Sequence, residues 1–222
     1  MSAVTTLSFW LGGVLCESIV EITLKAGGVG DIANLDIEVY LALEVLREEL
    51  ALGWIDKQAY CQKFSEHLHD QLTADSLDEQ IKEAFNVRSE VLEVIEALPD
   101  EYQFWVICDF PKAWFSVLEK RLYQCARLNK NNLIFTAEQH LEKLTPDIYT
   151  TLIQQVREPK EAVLTIDGDT RRAVSAVTNG FNTALFVDAS HLQREFSLRR
   201  MTQRTDQMER ASVVEYIRRE GV

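Results

Sequence analysis

The chain has 222 residues, 46% of them hydrophobic, and its formal net charge is -12. This length and apolar content suit one domain with an insertion, or one and a half domains. The acidic charge argues against nucleic acid, because proteins that bind a phosphate backbone normally present a basic face. No stretch approaches the roughly 20 apolar residues of a membrane span, and residues 1–6 carry no basic segment typical of a secretion signal. We therefore expect a cytoplasmic protein with neither a nucleic-acid nor a membrane partner.

The spacing of cysteines and histidines gives no sign of a metal site. None of the four cysteines belongs to a CxxC pair, so neither a zinc knuckle nor a thioredoxin-like motif is indicated. In a cytosolic chain we expect buried thiols rather than disulfides. His67 and His69 lie two residues apart in a predicted helix, and therefore on different faces, which does not favour a shared metal ion.

Residues 5–18, TTLSFWLGGVLCES, contain a short apolar run that ends at Gly12 and Gly13. A run this short, ended by glycine, is typical of a central strand in a parallel sheet. Ligands of such sheets bind in the crevice at the carboxyl ends of the strands. We therefore expect residues 10–14 to lie where this protein handles a small molecule.

The segment over residues 18–85 is predicted to be an all-helical insert, because its apolar residues recur at three- to four-residue spacing. Asp56 is the expected N-cap of one of its helices, and Asp75 or Ser76 is the expected N-cap of a later, shorter helix. The predicted helices cover residues 35–50, residues 57–72 and a short stretch that follows the last cap.

Strands and helices alternate from residue 86 onward, which predicts a parallel sheet with right-handed crossovers. The predicted fold class is α/β, with a three-layer Rossmann-like parallel-sheet core (residues 1–17 and 86–201) and an inserted all-helical cap (residues 18–85). Residues 202–222 form a polar tail that we expect to be dispensable for folding of the core. The strands predicted after the insert are residues 102–108, 132–136, 162–166 and 183–187, and the helices are residues 89–98, 113–125, 146–156, 171–179 and 191–201.

Polar or unusual residues stand at the ends of four predicted strands. Because the carboxyl ends of neighbouring strands converge in a doubly wound sheet, we expect these residues to lie close together. They are residues 10–12, Cys108 with Asp109, Glu142 with Lys143, and residues 167–169.

The order and wording of these segments resemble the haloacid dehalogenase-like hydrolase superfamily over nearly the whole chain. The stretch FWLGGVL at residues 9–15 is similar to the first motif of that family, usually written FDLGGVL or FDxDGTL. The helical insert that follows resembles the family's helical cap. LEKLTPDIYTTL at residues 141–152 and FNTALFVDASHLQREF at residues 181–196 resemble two later segments of its phosphatase branch.

The resemblance implies a role for three positions of this sequence. The family's nucleophilic aspartate, which forms an acyl-phosphate and binds magnesium, corresponds to Trp10, and an indole can do neither. The general acid/base of many members corresponds to Gly12, where the GGVL branch also has glycine. The serine or threonine that hydrogen-bonds the phosphate corresponds to Cys108, and a thiol is a much weaker donor.

The remaining positions are closer to the family pattern. Lys143 matches the lysine that neutralises phosphate charge, and Asp167 matches the first magnesium carboxylate. Gly168 replaces the commonly adjacent second carboxylate, and Asp169 follows one position later. The resemblance thus implies candidate metal ligands at Asp167 and Asp169, and candidate ligand-binding residues at Cys108, Asp109 and Lys143.

Each of these residues also has a purely structural interpretation. Trp10 can serve as core packing or as a plug in the former phosphate site, and Lys143 as a solvated residue before a helix. Asp167 can bond nearby backbone amides, as strand-end aspartates often do. Cys108 can be a small buried hydrophobe, since no basic residue adjoins it in sequence to lower its pKa.

The sequence therefore predicts a degenerate active site in a family member without phosphatase activity, kept as a binding or regulatory scaffold. No cofactor is expected, and magnesium only if the site is active. One alternative is an active phosphatase or hydrolase that acts on a small phosphorylated metabolite through a rearranged site at Asp109, Asp167 or Asp169. The other is a structural subunit that binds a protein partner or forms a homodimer.

Overall fold

Five parallel strands form the sheet of the computed structural model, which describes residues 4–28, 35–67, 72–141 and 146–201. Their pairing is parallel throughout. The predicted α/β class with a parallel sheet is therefore confirmed. The strands are β1 (Thr6–Trp10), β2 (Gln103–Cys108), β3 (Leu133–Phe135), β4 (Val163–Asp167) and β5 (Asn182–Leu185).

The order of the strands in the sheet is β3-β2-β1-β4-β5. The chain builds the sheet outward from β1 to β3 and then returns to the other side of β1 with β4. The strand order therefore reverses between β1 and β4, which is the switch point where open α/β sheets bind ligands. Every residue of β1 is buried, as its continuous apolar run predicts for a central strand.

The helices divide into those of the insert and those of the later part of the chain. The insert holds α1 (Ile19–Ala26), α2 (Ile37–Ala51), α3 (Lys57–His67) and α4 (Ala74–Ala84). The later helices are α5 (Ser89–Glu96), α6 (Lys112–Leu122), α7 (Thr136–Gln139), α8 (Pro146–Val156), α9 (Thr170–Thr178) and α10 (Ala189–Leu198). No described helix is long and apolar enough to cross a membrane.

A buried aromatic cluster joins the insert to the later part of the chain. The Trp114 ring of α6 meets Tyr60 of α3 edge-on at 5.8 Å between centroids, and it lies 6.1 Å from Phe85. The Trp114 indole nitrogen donates to Asp78 of α4 at 2.6 Å. The insert is therefore fixed to α6 by both apolar packing and a hydrogen bond.

Some details differ from the sequence prediction, among them α1, which was not predicted as a separate helix. The N-cap of α4 is Thr73, whose Oγ1 accepts from the backbone nitrogen of Ser76 at 3.2 Å, so the expected caps Asp75 and Ser76 were wrong. The short helix α7, which directly follows β3, was not predicted. Asp56, by contrast, accepts from the Ala59 backbone nitrogen at 2.8 Å, as its capping role requires.

Some predictions concern parts of the chain that are not described. Glu142, Lys143, His69 and the tail over residues 202–222 lie outside the described residues. The boundaries between core, cap and tail stay a prediction. The four cysteines are all free and buried, as expected for structural thiols.

Candidate functional site

A cleft of about 670 Å³ opens at the carboxyl ends of β1 and β4. It is lined by the turns that follow these strands, by the first turn of α9, by α2 and by residues after β5. Of the residues singled out in the sequence, the cleft exposes Gly12, Asp109, Gly168 and Asp169. The convergence of strand ends predicted from the sequence is thus present for the three segments that the structure describes, and Glu142 and Lys143 lie outside the described residues.

Two glycines let the strand ends approach each other closely. A Cβ added to Gly168 would lie 2.7 Å from the Gly13 carbonyl oxygen, which leaves no room for a side chain. A Cβ on Gly12 would lie 3.0 Å from both Asp109 Oδ1 and the Phe110 ring. Gly13 itself has a φ of +90°, which favours glycine. Gly168 therefore stands at its position because the β1 turn occupies the space that a carboxylate would need.

Trp10, the last residue of β1, is 1% exposed and belongs to the hydrophobic core. The face of its indole also packs on the guanidinium of Arg172, whose Cζ lies 4.4 Å from the ring centroid. Contacts of this type stabilise a cation most strongly when both groups are removed from water. Trp10 therefore does more than fill space in the core, because the face of its indole contacts a buried cation.

The same guanidinium holds Asp167, the last residue of β4. Arg172 Nε donates to Oδ2 of Asp167 at 2.8 Å, and Nη2 donates to Oδ1 at 2.7 Å. The Asp169 backbone nitrogen also donates to Asp167 Oδ1, at 2.8 Å. This is the bidentate geometry that makes arginine–carboxylate pairs strong.

Burial and pairing oppose each other in this ion pair. Burial raises the pKa of Asp167, and the bonds from Arg172 oppose that effect. Burial alone would lower the pKa of Arg172, but the bonds from Asp167 outweigh it and raise that pKa above its ordinary value. Arg172 therefore stays a cation under all ordinary conditions.

Asp169 is the N-cap of α9. Its Oδ1 accepts from the backbone nitrogens of Arg171 and Arg172 at 2.8 and 3.4 Å, and its Oδ2 accepts from the Arg171 side chain at 3.2 Å. Burial would raise the pKa of Asp169, but the bonds from Arg171 and the charge of Arg172 lower it overall. Asp169 is thus the cap of the helix, and Asp167 also accepts a local bond from a backbone amide, that of Asp169, as its structural interpretation predicted.

The residues at the end of β2 divide between cleft and core. Asp109 is buried but lines the cleft, and its Oδ1 accepts from the Gly12 backbone nitrogen at 3.4 Å. Cys108 is fully buried and its sulfur lies 3.6 Å from the Phe110 carbonyl oxygen, outside the set of residues that line the cleft. The ligand-binding role predicted for Cys108 therefore has no support from its position.

Within the described part of the chain, four arginines line the cleft, and none was singled out from the sequence. Arg88 donates to the Gly13 carbonyl at 2.9 Å and lies over the Phe186 ring at 5.3 Å. Acidic side chains in the lining balance them in number: Glu21, Glu44, Asp109 and Asp169. The arginines are Arg47, Arg88, Arg171 and Arg172. One signal was available in the sequence, since a buried strand-end aspartate needs a cation and DGDTRR supplies two within one helical turn.

No family model and no curated protein matches this chain. Solved structures do match it. A haloacid dehalogenase family enzyme from Bacteroides thetaiotaomicron superposes with a TM-score of 0.64 at 16% identity, covering 86% of this chain and 98% of that one. The same enzyme is also known in complex with magnesium and inorganic phosphate. L-2-haloacid dehalogenase from Xanthobacter autotrophicus, with chloropropionic acid covalently bound, superposes with a TM-score of 0.60 at 12% identity over 90% of this chain and 85% of its own.

The chain has the haloacid dehalogenase-like fold. Identities this low establish the fold and leave the reaction open, so the family resemblance seen in the sequence is confirmed at the level of architecture. Within this fold, Trp10 and Asp167 directly follow Phe9 and Ile166, which are register partners on β1 and β4. The positions that the resemblance assigns to the nucleophile and to the first magnesium carboxylate are therefore neighbours.

The donors at these positions do not fit magnesium, which requires near-octahedral coordination by oxygen. Both oxygens of Asp167 accept from Arg172, and both oxygens of Asp169 are engaged by backbone and side-chain donors of α9. Across the described ranges, no group of three or more His, Cys, Asp or Glu side chains could hold a metal ion. The expectation that no cofactor is needed stays a prediction.

Proposed function

We propose that this protein uses the haloacid dehalogenase-like fold as a binding scaffold and does not hydrolyse phosphate esters by the acyl-phosphate route. One observation carries the proposal. Where the resemblance requires a nucleophilic carboxylate, the indole of Trp10 packs on the guanidinium of Arg172, which in turn holds Asp167 at 2.7 and 2.8 Å.

The other carboxylates near the cleft are poorly suited to replace the missing nucleophile. Asp169 caps α9 and faces Arg171, which commits both of its oxygens. Asp109 is 4% exposed and stands at the end of a different strand. Because catalytic geometry tolerates displacements of only about 0.5 Å, a carboxylate on a neighbouring strand does not act for one at position 10.

The cleft itself supports a binding role. Its volume of about 670 Å³ lies within the range of about 300–1,000 Å³ typical of small-molecule sites. Arginine and carboxylate side chains line it together, so it suits a small polar molecule that carries charge. A small phosphorylated metabolite is our candidate ligand, with the cleft arginines as partners for its phosphate.

A protein partner is a second candidate, favoured by one specific observation. Ile37, Leu41 and Val45 follow each other at four-residue spacing on α2 and are 66%, 55% and 55% exposed. Such a stripe of exposed apolar side chains beside a cleft is typical of protein interaction sites. A partner protein or a second copy of the chain would cover it.

The activity test compares wild-type protein with the variant Asp109→Asn, using p-nitrophenyl phosphate and magnesium at high enzyme concentration. We expect no hydrolysis above background from either protein. Clear turnover by the wild type that Asp109→Asn abolishes would overturn the proposal and establish the rearranged-site alternative.

The binding test is a thermal-shift screen against phosphorylated metabolites, since a ligand that binds only the folded state raises the Tm. We expect at least one compound to raise the Tm of the wild type, and Arg88→Ala to reduce that shift. If no compound does so, sedimentation analysis of the wild type and of Leu41→Glu tests the alternative of a partner or homodimer.

A further inference from the structure

The Arg172 guanidinium contacts all three positions to which the family resemblance assigns magnesium ligands. It is 4.4 Å from the ring centroid of Trp10 and bonds both oxygens of Asp167. Its Nη1 also lies 3.9 Å from Asp169 Oδ2. An ion shared by side chains at positions 10, 167 and 169 would have to occupy the same space.

We propose that the Arg172 guanidinium occupies the place of the divalent ion, and that the face of the Trp10 indole holds it there. This goes beyond the loss of a nucleophile. The tryptophan at position 10 and the arginine at position 172 act as one unit, which closes the site to magnesium.

The physical properties of the two side chains fit this arrangement. Guanidinium is planar and always charged, matches a carboxylate through two parallel hydrogen bonds, and stacks on aromatic faces. It is also more weakly hydrated than an ammonium group, so its burial costs less. Tryptophan offers the most favourable aromatic face for a cation. An aspartate at position 10 would instead add a carboxylate to those of Asp167 and Asp169, which is the arrangement that favours a divalent ion.

The backbone around Arg172 is fixed from two sides. Asp169 accepts from its backbone nitrogen at 3.4 Å as the cap of α9, and the buried Tyr149 hydroxyl donates to its carbonyl oxygen at 2.9 Å. Arg172 is itself only 5% exposed. The cation is thus held in place, unlike its neighbour Arg171, whose side chain is 60% exposed.

The consequence is that an aspartate at position 10 does not by itself restore a magnesium site. In Trp10→Asp, the guanidinium remains between two carboxylates and excludes the ion. Removal of both side chains, as in Trp10→Asp with Arg172→Gln, opens the space and leaves carboxylates at positions 10, 167 and 169.

The test measures the Tm and the heat of binding during a magnesium chloride titration, with sodium chloride at equal ionic strength as control. We expect no magnesium-specific change for the wild type or for Trp10→Asp, and a clear rise in Tm with measurable binding heat for the double variant. A rise in Trp10→Asp equal to that of the double variant would overturn the proposal, as would magnesium binding by the wild type. Hydrolysis is not the readout, so metal-free turnover by the wild type would refute the proposed function and leave this inference standing.

A second measurement does not require the variant that combines Trp10→Asp with Arg172→Gln to fold. The Tm is compared between Trp10→Phe and Trp10→Leu, first with Arg172 present and then in an Arg172→Met background. We expect phenylalanine to be better tolerated than leucine only when Arg172 is present, because only then does an aromatic face contact a cation. An equal difference in both backgrounds would show that the two residues act independently, and would overturn the proposal.

Discussion

Two regions of this protein combine a tryptophan, an aspartate and a basic side chain, and they use them differently. At the strand ends, the face of Trp10 carries the Arg172 guanidinium, which bonds Asp167. Where the insert meets α6, the edge of Trp114 donates its N–H to Asp78 of the insert, which is also paired with two lysines. The indole supports the cation in the first region and the anion in the second.

The difference in burial gives each region its role. Asp167 and Arg172 lie at the strand ends and are 2% and 5% exposed, so their ion pair is shielded from water. The lysines that pair with Asp78 have side chains 32% and 29% exposed, so water reaches them. The first region holds a fixed positive charge beside the cleft, and the second attaches the insert to α6.

The largest effect is expected from Arg172→Met, which removes the cation and leaves Asp167 buried without its partner. Breaking a buried pair in this way costs about 3–5 kcal/mol of the free energy of unfolding, measured by urea denaturation. Arg171→Met is the matched control, because surface ion pairs contribute about 0–1 kcal/mol. Equal, small losses for the two neighbours would show that the strand-end pair is not the tightly held unit described above.

A smaller effect is expected from Trp114→Phe, which keeps an aromatic ring but removes the N–H that bonds Asp78 at 2.6 Å. The loss of a buried hydrogen bond to a charged group should cost about 1–3 kcal/mol in the same measurement. Trp54→Phe serves as control, since Trp54 is 70% exposed and a surface change of this kind stays within about 0.5 kcal/mol. A result for Trp114→Phe no larger than the control would mean that Asp78 does not fasten the insert to α6.

The third prediction concerns pH. Burial would raise the pKa of Asp78, but bonds from Lys57, Lys82 and Trp114 lower it from 3.8 to about 2. Because the folded pKa lies below the unfolded one, this contribution to stability is complete above about pH 4 and is lost as the pH falls toward 2. Acid unfolding of the wild type and of Asp78→Asn measures it.

The free energy of unfolding of the variant should be lower than that of the wild type at neutral pH, and the two values should converge in acid. A difference that stays constant over this pH range would show that the charge of Asp78 contributes nothing to stability. Arg172 offers no comparable acid response, since it stays charged throughout.

Much of the architecture could be read from local patterns. The helix predicted over residues 146–156 is α8 with the same bounds, because Pro146 is favoured at the first turn and apolar residues then recur on one face. The cap of α4 could not be read in this way. The stretch TADS offers three residues capable of capping, and the structure places the cap at Thr73, with Leu77 and Ile81 of the same helix buried.

By itself, the sequence determined the alternation of strands and helices along the chain, the glycine turn after β1 and the absence of a carboxylate at position 10. These features follow from short-range periodicity and from residue identity, and both are present in the sequence itself. The tertiary structure alone decided what stands in place of that carboxylate. Trp10 and Arg172 are far apart in the chain, and they meet because β1 and β4 are neighbours in the sheet and α9 begins where β4 ends. Whether an arginine is a solvated surface charge or a buried cation depends on this long-range packing, and no local pattern distinguishes Arg172 from the exposed Arg171 beside it.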